Sequence, residues 1–339
     1  MSAWQAPGAG APLRVTIAGA GAIGGTLAAG LAGLPQVRLS ALARGDTLAA
    51  LQRDGLQISD AQGTRSVAVQ ASDQPAALGP QDLVIVSVKA PSLASIAPAV
   101  RALLAPQGLA LIAMNGVPWW FFQGLPGPCS GMHLNSVDPG GAIAQAIPVE
   151  QVMGCVVHMS SALTAPGKVR HINGRGLIIG EPDGGRSARA LALGQWLSQA
   201  GFEVSVSERI QQDIWYKLWG NMTLNPMSAL TGATCDRILD DPLTRGFVSQ
   251  VMLEAQAIGQ RMGCAIAQTP EDRHAVTAKL GAFKTSMLQD VEAGRPIELD
   301  ALLSSVREIG QHLQIATPSL DALLGLTRLM AQTRGLYPR

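Results

Sequence analysis

Gly19, Gly21 and Gly24 fill a G-x-G-x-x-G pattern inside the run Arg14-Val15-Thr16-Ile17-Ala18-Gly19-Ala20-Gly21-Ala22-Ile23-Gly24-Gly25. The run reads as a buried strand passing directly into a helix. At such a join the first glycine permits a tight turn, and the second lets a pyrophosphate approach the backbone. The third lets helix and strand pack closely. Backbone N–H groups at the start of the helix then face the phosphate charge. Gly19, Ala20, Gly21, Ala22, Ile23 and Gly24 are therefore candidate dinucleotide contacts, against the alternative of a tight turn that holds nothing. The next strand, Val37 to Ala43, ends at Arg44-Gly45-Asp46. The residue there, about 20 positions past the glycines, faces the adenosine ribose in this kind of fold. An acidic residue would accept the free hydroxyls of NAD, whereas an arginine offers a donor fork and positive charge to the 2′-phosphate of NADP. Arg44 thus favours NADP. Asp46 either weakens that preference or caps the next helix.

A second group of polar residues lies far along the chain, in Asp213-Ile214-Trp215-Tyr216-Lys217-Leu218-Trp219-Gly220-Asn221-Met222-Thr223-Leu224-Asn225-Pro226. Lys217, Asn221 and Asn225 are spaced i, i+4, i+8, so they form one stripe on a helix. An ammonium and two amides among tryptophan, leucine and methionine either line a cleft or form the solvated side of an amphipathic helix. Asparagine is a poor helix former, which leans toward a purpose. Further on, Lys284 to Asp290 and Gly294 to Asp300 read as a helix end, a turn and a new helix. Ser286 and Glu298 either point into the same cleft or, for Glu298 and Asp300, simply favour a helix N-terminus through the dipole.

These residues need a scaffold, and the first third of the chain supplies one by alternating strand and helix patterns. Helices are expected over Thr26–Leu34, Thr47–Asp54 and Ser92–Leu104, with a small hairpin at Leu56–Ile58 and Ser66–Val69. Asp82–Val88 and Leu109–Ala113 are apolar runs typical of strands buried on both faces. The succession implies a doubly wound parallel sheet with ligand at the carboxyl ends of its strands. Those ends are Gly19, Arg44, Ser87-Val88-Lys89 and Met114-Asn115-Gly116. From Met153 to Ile179 strands return, separated by turns at Thr164–Gly167 and Asn173-Gly174. Helix Ser187–Ala200 and strand Glu203–Val206 close this part. Beyond Glu208 the period is helical, with stops expected at Pro226, Gly232, Pro242, Gly263 and Pro318. The expected organisation is α/β: a flexible tail over 1–12, a Rossmann-type doubly wound domain over 13–207 and an all-helical domain over 208–335.

Length and composition agree with two globular domains. The chain has 339 residues, of which 14% are charged, and a formal net charge of +1; its mean hydropathy is +0.21. No basic run marks a nucleic-acid partner. No apolar stretch approaches the ~20 residues that span a bilayer, and the start lacks the charged and apolar regions of a signal peptide. The four cysteines, Cys129, Cys155, Cys235 and Cys264, lack metal spacing, as do the five histidines, so no metal site is expected. A cytoplasmic protein with reduced, mostly buried thiols is the expectation. The apolar helices of the second domain either pair with another subunit, giving a homodimer, or pack only with one another.

Taken together, these stretches resemble the ketopantoate reductases (2-dehydropantoate 2-reductases), a family of NADP-dependent enzymes. The pieces that carry the likeness are Gly19 to Gly24, Val88-Lys89-Ala90, Asn115-Gly116, Trp215-Tyr216-Lys217-Leu218 with Asn221 and Asn225, Ser286 to Asp290, and Glu298-Leu299-Asp300. The order and spacing of the later blocks are more specific than the glycines. The resemblance implies a Rossmann domain followed by a helical one, and reduction of a 2-oxo acid to a 2-hydroxy acid in pantothenate biosynthesis. It implies hydride delivery from NADPH and protonation of the developing alkoxide by Lys217, whose proton transfer desolvation would ease. It gives Glu298 the substrate hydroxyl and Asn221, Asn225 and Ser286 its other polar groups. It puts Asn115 near nicotinamide and substrate, Lys89 at the cofactor edge, and Arg44 on the 2′-phosphate.

Two departures stand out. Family members commonly continue Asn-Gly with Met-Gly or Leu-Gly, whereas Asn115-Gly116 runs into Val117-Pro118-Trp119-Trp120-Phe121-Phe122. These aromatics either reshape a substrate pocket or pack as core beneath the loop. Phe283 stands where some members carry a substrate-binding asparagine. A reductase of a bulkier 2-oxo acid is therefore a second reading. A catalytically silent NADP-binding redox sensor is a third, opposed by the joint presence of Lys217, Asn221, Ser286 and Glu298.

Overall fold

Val15, Ile17 and Ala18 are fully buried in strand β1 (Leu13–Ala18), as an apolar strand covered on both faces must be. This computed structural model describes Trp4, residues 11–279 and residues 281–338. After β1 come α1 (Ala22–Leu31), β2 (Val37–Leu42), α2 (Gly45–Asp54), β3 (Leu56–Asp60), β4 (Gly63–Val67), β5 (Gln70–Ser72) and α3 (Pro75–Leu78). Then follow β6 (Gln81–Val86), α4 (Ala90–Leu103), β7 (Leu104–Ile112), α5 (Ala142–Ala146), β8 (Val152–Ala165), β9 (Lys168–Gly180), α6 (Ala188–Gln199) and β10 (Glu203–Val206). The remainder is helical: α7 (Ile210–Thr231), α8 (Cys235–Asp240), α9 (Pro242–Met262), α10 (Pro270–Ala278), α11 (Ser286–Glu292), a π-helical turn (Asp300–Ser304), α12 (Ser305–His312) and α13 (Pro318–Thr333).

The strands form one sheet in the order β4-β3-β9-β8-β7-β6-β1-β2-β5, with β10 also paired to β9. Strands β5, β2, β1, β6, β7 and β8 pair in parallel, while β3–β4 and β8–β9 are antiparallel. With the β3–β4 hairpin set aside, the parallel strands follow the 3-2-1-4-5-6 order of the doubly wound dinucleotide fold. The topological switch falls between β1 and β6. The α/β, Rossmann-like first part and the helical second part therefore match the expected fold class.

The chain divides into two compact units: residues up to 114 together with 141–210, and residues 115–140 together with 211 onward. This corrects the expected span of 13–207 for a single domain, because residues 115–140 belong with the helices. Their apolar aromatics find burial there, and no periodic pattern in the sequence marked the change. The helical unit's members include the stripe-bearing α7.

Several local expectations are revised. Trp4 is not part of a loose tail: it is 4% exposed, and its indole N–H donates to the carbonyl of Asp82 over 2.8 Å. The rest of 1–10 lies outside the described residues. Helix α1 begins at Ala22, not Thr26, whose hydroxyl bonds back to the Ala22 carbonyl at 2.8 Å from one turn inside. Asn173-Gly174 is no turn between strands but an irregularity within β9, where the register against β8 shifts. Pro226 does not end α7, which continues to Thr231. Pro242 and Pro318 open helices instead of stopping them, because the first helical position needs no N–H partner. All four cysteines are buried, and none of them is in a disulfide. Among the described residues, no helix is long and apolar enough to cross a membrane.

Candidate functional site

In the first unit, the glycine turn is fitted to the two strand ends at the switch point. Gly19 adopts φ +104°, and a Cβ there would come within 2.7 Å of Val88 Cγ1 and 2.9 Å of the Val88 nitrogen. Ser87, just past β6, donates its hydroxyl to the Gly19 carbonyl at 2.9 Å. At Gly24 a Cβ would be driven into the Gly19 carbonyl and the Ser87 hydroxyl, and would lie 2.9 Å from Ile17 Cγ2. Gly24 is thus the close helix-to-strand crossing. Gly21 differs from both: a Cβ there would meet nothing within 4 Å. It is the N-cap of α1 and supplies no side-chain cap. The α1 start therefore opens on free space, with first-turn N–H groups of the kind that receive a phosphate. The sequence singled out the glycines, but it gave no sign of the Ser87 hydroxyl tie.

Arg44 is exposed at the end of β2 and serves as the N-cap residue of α2 through its extended backbone, with no side-chain cap bond. Asp46 is exposed within the first turn of α2, so the capping role considered for it is not the one it has. Lys89, half-buried, occupies the N-cap position of α4. Gly19 to Gly24, Ser87 and the Lys89 position thus gather at the carboxyl ends of β1 and β6, with Arg44 at the end of the neighbouring β2. A dinucleotide fits this set: an open glycine, a helix start and a cationic strand end.

In the second unit, α7 carries Lys217, Asn221 and Asn225 on one side. Lys217 and Asn221 are half-buried and Asn225 is 6% exposed, so the stripe is not a freely solvated face. Trp215, Leu218, Trp219 and Met222 are buried and fix the helix, and the Trp219 indole donates to the Met252 carbonyl of α9 at 2.8 Å.

Residues 115–122 hold two parts of this unit. Gly116 has φ +84°, and a Cβ there would lie 2.6 Å from Ala301 Cβ and 2.7 Å from its carbonyl carbon. Val117 donates its N–H to the Ala301 carbonyl at 2.8 Å. That carbonyl lies in the wide turn at 300–304, where the Ser305 N–H reaches back to Asp300 instead; the Ser305 hydroxyl also donates to Ala301 over 3.0 Å. Such π-type turns recur at functional sites. At the other end of the segment, Phe121 packs on Trp215 with ring centroids 6.4 Å apart, and edge-on against Phe122 at 5.0 Å. Trp119, Trp120, Phe121 and Phe122 are all 3% exposed or less, so they are core beneath the loop. Asn115, half-buried, is thereby attached to the turn that follows Glu298 and, through Phe121, to the helix that carries Lys217.

Glu298 is half-buried between Ile297 and Leu299, which are 1% and 0% exposed. Ser286 is exposed at the head of α11, where Thr285 caps the helix by accepting from the Leu288 N–H at 3.2 Å. Phe283 is 38% exposed. Sequence reasoning missed Ala301 and Val117, whose parts are played by backbone atoms, and Tyr337, whose hydroxyl donates to Asp300 at 2.7 Å.

Residues 15–118 match the family described as ketopantoate reductase PanE/ApbA, and residues 209–331 its C-terminal domain. A 2-dehydropantoate 2-reductase from Mesorhizobium japonicum is 44% identical over 326 residues, covering 96% of this chain and all of the relative. The chain belongs to the ketopantoate reductase family. A solved structure of a putative ketopantoate reductase from Ralstonia solanacearum is 56% identical, covers 96% of this chain and 99% of its own, and superposes with a TM-score of 0.92. A D-mandelate dehydrogenase solved with NADH and anilino(oxo)acetate shares the fold at 18% identity, with a TM-score of 0.82 over 96% of this chain and all of its own.

Proposed function

We propose that this family member is an oxidoreductase that reduces 2-dehydropantoate to pantoate with NADPH. The observation that carries the reading is the half-buried Lys217 on α7, followed on its stripe by Asn221 and Asn225, in a chain 44% identical to a 2-dehydropantoate 2-reductase over 96% of its own length and all of the relative's. The glycine turn, with its open Gly21, would hold the pyrophosphate, Arg44 the 2′-phosphate, and Lys89 and Asn115 the nicotinamide side. When bound, the reduced nicotinamide supplies a hydride for the ketone carbon.

The chain's residues supply the rest. The Lys217 ammonium polarises the ketone oxygen and then gives it a proton, so hydride and proton together make the alcohol. Asn221, Asn225 and Ser286 bind and orient the polar groups of the acid. Glu298 accepts a hydrogen bond from its hydroxyl, which fixes the ketone relative to Lys217. A small soluble acid and a reduced NADP pool suit a cytoplasmic location. Trp119 and Trp120 are core side chains, so they no longer argue for a bulkier substrate.

The test is NADPH oxidation with a panel of 2-oxo acids, for the wild type and Lys217→Ala. The wild type should prefer 2-dehydropantoate. The variant should lose about 10²–10⁴-fold in turnover, the range of a positioned proton donor, with NADPH binding little changed. Undiminished turnover would remove Lys217 from the reaction. Tight NADPH binding without turnover of any acid would favour the redox sensor.

A further inference from the structure

Glu298 is held from both sides by the last few residues of the chain. Immediately before it, Ile297 donates its N–H to the Leu336 carbonyl at 3.2 Å. Two residues after it, Asp300 Oδ1 accepts from the Tyr337 hydroxyl at 2.7 Å and from the Ser304 hydroxyl at 2.8 Å. The preceding loop needs such anchors, because Glu292 through Pro296 are exposed. Within it Arg295 pairs with Asp290 of α11 at 3.1 Å.

The clasping segment is itself built in. Gly335 takes φ +68°, which turns the chain back after α13. Leu336 is 5% exposed, and its N–H donates to the Ala331 carbonyl at 2.8 Å. The Gln332 side chain donates to the Pro338 carbonyl at 2.9 Å. Burial and the bond to Asp300 push the Tyr337 hydroxyl up to about 12, so it stays a donor throughout the working pH range.

We propose that Leu336 and Tyr337 form a positioning clasp for Glu298, with Tyr337 acting through Asp300 to set the affinity for the 2-oxo acid. The proposal rests on the reading that Glu298 holds the substrate hydroxyl. Neither clasp residue touches the reacting atoms. A hydrogen bond to a carboxylate is directional, so its loss lets the 297–300 backbone shift. A shift of a fraction of an ångström is enough to weaken a substrate contact.

The experiment compares the wild type, Tyr337→Phe, Asp300→Ala and the double variant. Tyr337→Phe keeps the ring and removes one hydroxyl, which preserves the fold. For each protein, kcat and KM for 2-dehydropantoate, NADPH affinity and the thermal midpoint are measured. We expect KM to rise about tenfold in Tyr337→Phe, with kcat changed much less and NADPH affinity unchanged. Asp300→Ala should do the same, and the double variant should be no worse than Asp300→Ala, because both act through one contact. An unchanged KM in Tyr337→Phe overturns the clasp, as do additive effects in the double variant. A parallel loss of kcat, NADPH affinity and thermal midpoint also overturns it, since that marks general destabilisation. A wild type inert toward 2-dehydropantoate overturns the functional reading and the clasp with it, whereas an active wild type and an unaltered Tyr337→Phe overturn the clasp alone.

Discussion

Val117 donates its backbone N–H to the carbonyl of Ala301 at 2.8 Å, which fixes the peptide after Asn115 to the turn after Glu298. Gly116 makes this approach achievable, with φ +84° and no side chain. Gly116→Ala would strain a left-handed backbone and push a methyl into the Ala301 peptide. A destabilisation of about 1–3 kcal/mol is expected from the backbone term alone, with more from the clash. Chemical denaturation should show it, and turnover should fall with the displaced Asn115. Wild-type stability and turnover would mean that the 115–117 loop moves freely and does not position the site.

The two glycines that bracket the α1 start should respond in opposite ways. Gly24→Ala would force a methyl into backbone and core atoms, so the fold itself should be lost or strongly weakened. Gly21→Ala adds a methyl to open space. Its melting temperature should stay near the wild-type value, while NADPH binding weakens by an order of magnitude or more. Titration of each purified variant with NADPH, beside a thermal melt, separates the two effects. Intact NADPH binding in Gly21→Ala would move the pyrophosphate away from this turn.

Arg44 provides the test of nucleotide choice. It is exposed at the end of β2, where a guanidinium can meet a phosphate bidentately. Arg44→Ala should weaken NADPH binding by roughly ten- to a hundredfold, as for loss of a charge-assisted bond, and leave NADH binding nearly as it was. Equal loss for both nucleotides would take Arg44 out of the ribose site.

A buried histidine makes stability depend on pH. His274 is 1% exposed, and its Nε2 lies 2.9 Å from the Ser249 hydroxyl. That hydroxyl donates to the Arg245 carbonyl at 3.0 Å, so Nε2 is the donor to Ser249. Burial lowers the His274 pKa below its ordinary 6.5, opposed by Glu271 and assisted by Arg245. The unfolded chain therefore takes up the proton first as pH falls. The full contribution of neutral His274 is present above about 6.5 and declines as the pH drops through that value. Urea midpoints should fall between pH 7.5 and 5.5, and His274→Gln should flatten that fall. An unchanged slope in the variant would assign the pH dependence to other groups.

The glycine turn was legible in the sequence because its backbone path tolerates few residue types. Apolar runs such as Leu83 to Val86 likewise declared buried strands, and the i, i+4, i+8 spacing put Lys217, Asn221 and Asn225 on one helix side. The aromatic run 119–122 was not legible in this way. It carries no period, and Phe121 packs against Trp215, nearly a hundred residues later. Trp4 was hidden for a similar reason, since its partner is a backbone carbonyl at Asp82. The Ser87–Gly19 and Val117–Ala301 ties also use main-chain atoms, which every residue type provides. Pro226 misled because proline usually ends helices, yet α7 runs through it with its flanking residues buried.

The placement of residues 115–140 with the helices has a consequence for how the chain matures on the ribosome. Trp119, Trp120, Phe121 and Phe122 leave the ribosome well before Trp215 and Ala301 have been made. During that interval Phe121 lacks its partner ring, and the bond from Val117 to Ala301 cannot form. Such a stretch is prone to adhere to other nascent chains. Synthesis rate and chaperone supply thus become determinants of yield, and a slow passage through residues 123–301 would favour aggregation over folding.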